Sequence, residues 1–229
     1  MKRLAYGALL LCCAAAAACD SPTLPAIARS DFYEFRLNAD SLRVLRWPTG
    51  STIRVYLHPG DDPANAALME RAFERGAAAW NAQALFAEYR IERASSIETS
   101  DVLMRWSADP APLDVSACVP GFSSGVTTFC FLDPDDPSAG LLPFPPLPPA
   151  DTEYEGVKMI VSILSSQAPI PGRAEILIAH ELGHVLGIGR HSPNPEDLMA
   201  LGTPTRATLS RRDINTIRLL YHTTPEITP

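Results

Sequence analysis

The stretch 180-HELGHVLGIGRHS-192 limits what this chain can be more than any other part of its sequence. His180 and His184 are four residues apart, so on a helix their imidazoles lie one turn apart on the same face and can converge on one ion. Glu181 is next to His180, where its carboxylate can reach a water molecule at the metal without being a ligand. Zinc-dependent hydrolysis needs this arrangement, because the metal activates the water and a carboxylate moves the proton.

A helix that only fills the core would explain this stretch less well. Two histidines and a glutamate buried without a metal would be costly. Gly183 also opposes a purely structural role, since a glycine inside a helix costs up to ~1 kcal/mol relative to alanine. Gly187 is expected to end the helix with a turn that returns the chain toward the metal. The apolar residues that do make the helix a core element are Ile176, Leu177, Leu182, Val185 and Leu186.

The motif resembles that of the metzincins, and within them the matrixins, whose pattern is H-E-x-x-H-x-x-G-x-x-H-S. The likeness continues at Leu198-Met199, where matrixins have a Met-turn beneath the metal, and at 209-LSRRDINTIRLLY-221, which is similar to their last helix. Earlier segments follow the family's order more loosely: Trp47, 52-TIRVYL-57, 78-AAW-80 and 101-DVLMRW-106. The resemblance covers roughly residues 46–221.

This resemblance implies an α+β zincin fold, in which a mixed, mostly parallel twisted sheet packs on two long helices. A Met-turn and a C-terminal helix are expected to follow. It also implies one catalytic zinc ion, with Glu181 as general base and then acid and with Met199 under the metal. The three implied ligands are His180, His184 and His191. A second, structural zinc is not expected, because only two other histidines remain, His58 and His222.

The third ligand departs from the family pattern by one position, because Arg190 stands where matrixins have histidine. His191 is still predicted to be the ligand, since a loop sets its position independently of helical phase. Gly189 is expected to allow the extra bend, because glycine tolerates φ > 0. Arg190 is expected to point away from the cation, which would repel a guanidinium. The alternative is a site of two histidines completed by water or by a carboxylate such as Glu196.

The hydrophobic pattern predicts the remaining elements. Strands are expected at 51–59, 89–92, 101–106, 126–132 and 157–164, and helices at 63–86, 173–186 and 208–221. The first helix has an apolar stripe formed by Leu68, Ala72, Phe73, Ala77 and Trp80. The last helix opens with a capping-box pattern at Ser210 and Asp213, and its expected inner face is Ile214, Ile217, Arg218 and Tyr221.

The N-terminus has the features of an export signal. Lys2 and Arg3 precede an apolar run of 15 residues, which is short of the ~20 that a spanning helix needs. The sequence 16-AAAC-19 resembles a bacterial lipobox, in which Cys19 becomes the lipidated N-terminus. An ordinary secretory signal cut near Ala18 is the alternative. The predicted organisation is a signal peptide at 1–18, a tether and lead-in at 19–45, one domain at 46–222 and a tail at 223–229.

Two cysteines, Cys118 and Cys130, remain after the signal region, and in an oxidising compartment they are expected to form a disulfide. The proline-rich segment 133–153 is interpreted either as a surface loop or as a rim of the substrate cleft. Calcium is a further candidate ion near Asp133, Asp135 and Asp136, although the spacing and glycine of an EF-hand are absent.

The net charge of −7 argues against nucleic acid as a partner, because phosphate binding needs clustered lysine and arginine. The histidine motif, its resemblance to the matrixins and the export signal together lead us to expect a monomeric zinc endopeptidase of the cell envelope that acts on proteins or peptides. Its membrane attachment would be the N-terminal lipid rather than a spanning helix. A soluble periplasmic or extracellular enzyme, and a non-catalytic zinc-stabilised binding protein of the envelope, remain as alternatives.

Overall fold

The computed structural model describes residues 27–36, 43–108, 125–129, 157–202, 204–226 and 228–229, and for 125–129 it describes the backbone. Several predicted features lie outside these residues: the lipidation site Cys19, the disulfide partners Cys118 and Cys130, the candidate calcium ligands and the proline-rich segment 133–153. None of the helices in the described part of the chain has the length and apolar content needed to cross a membrane.

A mixed five-stranded sheet forms the centre of the fold, with strand order β2-β1-β3-β5-β4. The strands are β1 (Ser51–His58), β2 (Tyr89–Arg93), β3 (Val102–Ser107), β4 (Gly125–Phe129) and β5 (Met159–Leu164). Strands β1, β2, β3 and β5 run parallel, whereas β4 runs antiparallel to β5 at the edge. Strand β3 is buried at nearly every position, as is typical of a central parallel strand. The prediction of a mostly parallel sheet is confirmed.

The predicted helices are also present, as α1 (Ala66–Asn81), α2 (Arg173–Val185) and α3 (Arg211–Tyr221). Helix α1 ends at Asn81, five residues before the predicted end at residue 86. The sequence pattern missed this end because it depends on a distant contact. The side chain of Asn81 exchanges two hydrogen bonds with the backbone of Ile91 in β2, at 2.8 and 2.9 Å.

Helices α1 and α2 pack against each other and against the sheet. Gly76 permits their close approach, because a Cβ at this position would lie 3.3 Å from the Ala179 Cα. The Trp80 indole N–H donates a hydrogen bond of 2.8 Å to the Ala179 carbonyl, which fixes the crossing of the helices. As predicted, Trp80 lies on the buried face of α1.

Helix α3 begins with the predicted capping box. The Ser210 hydroxyl accepts a hydrogen bond from Asp213 N–H at 3.0 Å, and the Asp213 carboxylate accepts one from Ser210 N–H at 2.8 Å. The predicted inner face is only half right, since Ile214 and Arg218 are partly exposed. The buried face of α3 is rotated relative to the predicted one because it includes Asp213, whose carboxylate is buried. The buried residues of α3 are Asp213, Thr216, Ile217, Leu220 and Tyr221.

The segment upstream of β1 also contributes to the core. Tyr33, Phe35, Val44 and Leu45 are all buried in the same hydrophobic cluster as the sheet and the helices. Part of the predicted lead-in at 19–45 is therefore packed against the domain predicted at 46–222. The Trp47 indole N–H donates a hydrogen bond of 2.7 Å to the carbonyl of Val185, the last residue of α2.

Candidate metal centre

Helix α2 and the loop after it bring the three predicted histidine ligands together. One ring nitrogen from each of His180, His184 and His191 lies within 4.8 Å of the others. The ring centroids form a nearly equilateral triangle with sides of 4.9, 5.0 and 5.2 Å. Within the described residues, these histidines are the group of potential ligands that could hold a metal ion such as zinc.

Hydrogen bonds assign the tautomers of the two helical histidines. His180 Nδ1–H donates to the Leu198 carbonyl at 2.7 Å, and His184 Nδ1–H donates to the Ile188 carbonyl at 2.6 Å. Because a carbonyl oxygen only accepts, each Nδ1 must carry the proton. In a neutral ring, Nε2 is then an acceptor with its lone pair free, which is the state that a metal ligand requires.

The two free Nε2 atoms are only 3.2 Å apart. Two acceptors at this distance repel each other unless a cation lies between them. Zinc–nitrogen bonds of about 2.0–2.1 Å at a tetrahedral angle would separate the nitrogens by about 3.3 Å. The spacing of His180 and His184 therefore fits zinc.

The environment keeps these imidazoles neutral. Burial lowers the pKa of His180, and burial together with the charges of His180 and His191 lowers the pKa of His184 well below its usual value. His191 lies on the exposed side of the cluster, where partial burial and then the charge of His180 lower its pKa to about 4. Neutral imidazole is the form that binds a metal, so all three rings suit a cation near pH 7.

Met199 packs directly against the helix that carries two of the histidines. Its side chain is fully buried, and a Cβ at Gly183 would lie 2.4 Å from the Met199 sulfur. The same Cβ would lie 2.9 Å from Trp80 Cζ2. Gly183 is therefore explained by packing, because a larger residue would displace Met199 from its position against α2.

A buried carboxylate holds the turn that contains Met199. Asp213 has no exposed surface, and its carboxylate accepts hydrogen bonds from Leu198 N–H at 2.8 Å and from Met199 N–H at 3.3 Å. Leu198 is also the residue whose carbonyl orients His180. From the sequence alone, Asp213 is predicted only to cap helix α3. The signal for its second role was a charged residue within the inner face of an amphipathic helix.

The loop between α2 and His191 turns at Gly187, as predicted. Gly187 has φ +108°, and a Cβ there would lie 2.1 Å from the Leu45 carbonyl oxygen, so only glycine fits. The expectation that Gly189 also uses a positive φ is wrong, since the structure shows positive φ at Gly187 and not at Gly189. Gly189 N–H instead donates a hydrogen bond of 2.8 Å to the Phe35 carbonyl, which joins this part of the loop to the segment upstream of β1.

The other predicted site residues differ in environment. The Glu181 carboxylate belongs to a buried residue of α2, adjacent to His180. Arg190 is partly buried beside His191. Glu196, the alternative carboxylate ligand, has a side chain that is 63% exposed and pairs with Arg206 at 3.2 Å. It is not part of the histidine cluster.

No protein-family model matches the chain, and a search of curated proteins finds no significant match. The function must therefore be argued from the site itself, because a fold alone supports many activities. The site offers a three-histidine cluster that could bind zinc, a buried glutamate next to one ligand, and a hydrogen-bonded support for the ligand rings.

Proposed function

We propose that this chain is a zinc-dependent endopeptidase of the metzincin type and resembles the matrixins within it. The observation that carries the proposal is the pair of hydrogen-bonded tautomers, which leaves two Nε2 lone pairs 3.2 Å apart with a third imidazole nearby. The order of features along the chain supports it further. A histidine helix, a glycine turn, a third histidine, a buried methionine and a capped helix follow one another as in the matrixin pattern.

In this proposal, His180, His184 and His191 hold one zinc ion. Zinc supplies Lewis-acid chemistry, which makes water a better nucleophile and polarises a substrate carbonyl. Glu181 takes the proton from the attacking water and then delivers it to the amine that leaves when the peptide bond breaks. The carbonyls of Leu198 and Ile188 keep the two helical rings in the correct tautomer and orientation.

Two alternatives are less well supported. A carboxylate as third ligand would require Glu196, which is exposed and paired with Arg206. A zinc-stabilised binding protein without catalysis would have little reason to carry Glu181 at its position, where it is 3% exposed beside a ligand. Burying a carboxylate in a core is costly, and a role in proton transfer is one reason for such a residue to be present.

We further propose that the enzyme acts as a monomer on proteins or peptides, and that it is exported and anchored through a lipid on Cys19. The basis is the sequence of the first 19 residues. The proposed attachment and the proposed catalysis are independent, because the anchor lies far from the histidine motif in the sequence.

The catalytic proposal is tested by Glu181→Gln, which removes the proton carrier and keeps the shape of the side chain. Zinc content should stay the same as in the wild type, while cleavage of a peptide library should fall by about 10²–10⁴-fold. Glu175→Gln is the matched control. It makes the same chemical change in the first turn of α2, where the Glu175 carboxylate pairs with Arg75 at 3.5 Å, and should keep both properties.

The possible results separate the alternatives. If Glu181→Gln retains near wild-type turnover, the assigned proton transfer is wrong. If the wild type binds zinc with high affinity and cleaves no member of the library, the binding-protein alternative replaces the proposed enzyme.

A further inference from the structure

A short N-terminal segment, residues 33–35, makes two hydrogen bonds that end next to the candidate metal ligands. Tyr33 and Phe35 at its ends are buried, with 4% and 3% of their surface exposed. The Tyr33 hydroxyl donates to Asp213 Oδ1 at 2.8 Å, and the Phe35 carbonyl accepts from Gly189 N–H at 2.8 Å. Asp213 and Gly189 lie in different elements, but each is connected to one of the histidines.

The first connection runs through Asp213 to His180. The Asp213 Oδ1 atom accepts from the Tyr33 hydroxyl and, at 3.3 Å, from Met199 N–H, while Oδ2 accepts from Leu198 N–H. The carbonyl of the same Leu198 accepts the Nδ1 proton of His180. The peptide units at 198 and 199 are therefore held between Asp213 on one side and His180 on the other, and Tyr33 fixes the carboxylate that holds them.

The second connection runs through the loop to His191. Gly189 is two residues before His191, and its N–H bond to Phe35 is the contact that joins this part of the loop to the N-terminal segment. The preceding residue, Ile188, is tied to the helix instead, through its N–H bond to the Gly183 carbonyl at 3.1 Å. The backbone that carries His191 is thus held on one side by α2 and on the other by Phe35.

Tyr33 is also attached independently of Asp213. Its backbone N–H donates to the hydroxyl of Thr216 at 3.1 Å, and Thr216 is fully buried on α3. This bond sets the depth at which the tyrosine ring enters the core. It therefore sets the position from which the hydroxyl reaches the carboxylate.

From these contacts we infer that residues 33–35 are a positioning element of the metal site. They hold the backbone at 198–199, which orients His180, and the loop at Gly189, which carries His191, and in this way they set the angle between the two imidazoles. This inference rests on the proposed function, because it assumes that the three histidines hold zinc. Partners of metal ligands outside the coordination sphere typically change metal affinity by 10–100-fold when mutated. Tyr33 acts two contacts further out, through Asp213 and then Leu198, so the effect should not exceed the lower end of that range, about tenfold.

The decisive variant is Tyr33→Phe in the full chain, which removes one hydroxyl and keeps the ring. The matched control is Tyr89→Phe. Tyr89 is equally buried at 4%, and its hydroxyl donates a bond of equal length, 2.8 Å, to the Trp80 carbonyl at the end of α1. The two measurements are the zinc dissociation constant, from competition with a chelator, and the visible absorption spectrum of the cobalt-substituted protein. The melting temperature of the metal-free protein is recorded for each variant.

We expect Tyr33→Phe to raise the zinc dissociation constant by up to about tenfold and to change the cobalt spectrum. Tyr89→Phe should lower the melting temperature by a similar amount and leave both metal measurements at wild-type values. Thr216→Val, which removes the acceptor of Tyr33 N–H without touching Asp213, should weaken zinc binding in the same direction. It also provides the test if Tyr33→Phe does not fold.

The outcomes distinguish this inference from the proposed function. If the wild type binds zinc and neither Tyr33→Phe nor Thr216→Val changes its affinity, the inference is overturned alone. It is also overturned if Tyr89→Phe weakens zinc binding as much as Tyr33→Phe, because a general loss of stability would then explain both. A wild-type chain that binds no zinc overturns the inference and the proposed function together.

Discussion

Replacing Gly183 with alanine should destabilise the protein, although the same change inside an exposed helix would stabilise it. The position lies on α2 between the two helical histidines, where alanine is the better helix former by up to ~1 kcal/mol. The added methyl group, however, would lie 2.4 Å from the Met199 sulfur and 2.9 Å from Trp80 Cζ2. Ordinary non-bonded contacts are about 3.5–4.0 Å, so the sulfur would have to move by more than about 1 Å.

The surroundings leave little room for that movement. Met199 and Trp80 are both fully buried, and the Trp80 indole is held by its hydrogen bond to the Ala179 carbonyl. Overpacking of a close-packed core typically costs about 1–3 kcal/mol. A contact as short as 2.4 Å puts this cost in the upper part of the range, about 2–3 kcal/mol, and after the gain of ~1 kcal/mol in helix propensity is subtracted we expect a net loss of about 1–2 kcal/mol. For a domain of this size, this corresponds to a fall in melting temperature of about 2–8 °C.

Thermal unfolding of the metal-free protein and zinc competition measure the two consequences. Displacement of Met199 also displaces Leu198, whose carbonyl orients His180, so zinc affinity should fall together with stability. Gly76→Ala is the control, because the three atoms nearest to its methyl group would belong to Leu182 and Ala179, the nearest at 3.1 Å, and none of them to a histidine. The reasoning is refuted if Gly183→Ala is as stable as the wild type and binds zinc equally well.

Three further predictions test other expectations from the sequence. His191→Ala should lose most zinc affinity and activity while Arg190→Ala keeps both, as measured by zinc competition and peptide cleavage; the reverse result would exclude His191 as the third ligand. Mass spectrometry of the unreduced exported protein should find Cys118 joined to Cys130, and two free thiols would contradict this. Wild-type protein should fractionate with membranes and Cys19→Ala should release it or block its processing; a soluble wild type whose N-terminus lies beyond Cys19 would favour an ordinary secretory signal.

The strands could be predicted because their signal is local. Strand β1 alternates between buried Ile53 and Val55 and exposed Arg54, so its burial follows directly from the period of two. Helix α2 was equally clear, because its apolar residues and the two histidines repeat at helical spacing. The end of α1 could not be predicted in this way, because Asn81, its last residue, is held by two side-chain hydrogen bonds to the backbone of Ile91 in β2.

The contacts that hold the candidate ligands in position could not be predicted from the sequence. Tyr33 and Asp213 are 180 positions apart along the chain, so no local sequence pattern predicts their hydrogen bond. The role of Gly183 could not be predicted either, because this position on α2 needs glycine to make room for the sulfur of Met199, which lies outside the helix. Ligands can be recognised from spacing within one helix, whereas the contacts that orient them depend on how distant segments pack.

The loop before His191 shows how a spacing one residue longer than that of the matrixin pattern is compatible with the candidate metal site. Inside α2, an added residue would rotate a ligand by about 100°, whereas after Gly187 the direction of the chain depends on contacts outside the helix. Those contacts are the Leu45 carbonyl against Gly187 and the Phe35 carbonyl bonded to Gly189. On the other side of His191, Ser192 N–H bonds to the Met199 carbonyl at 2.6 Å and joins the loop to the turn that supports His180. Because contacts outside the helix hold the loop on both sides of His191, its imidazole lies beside the other two at this longer spacing.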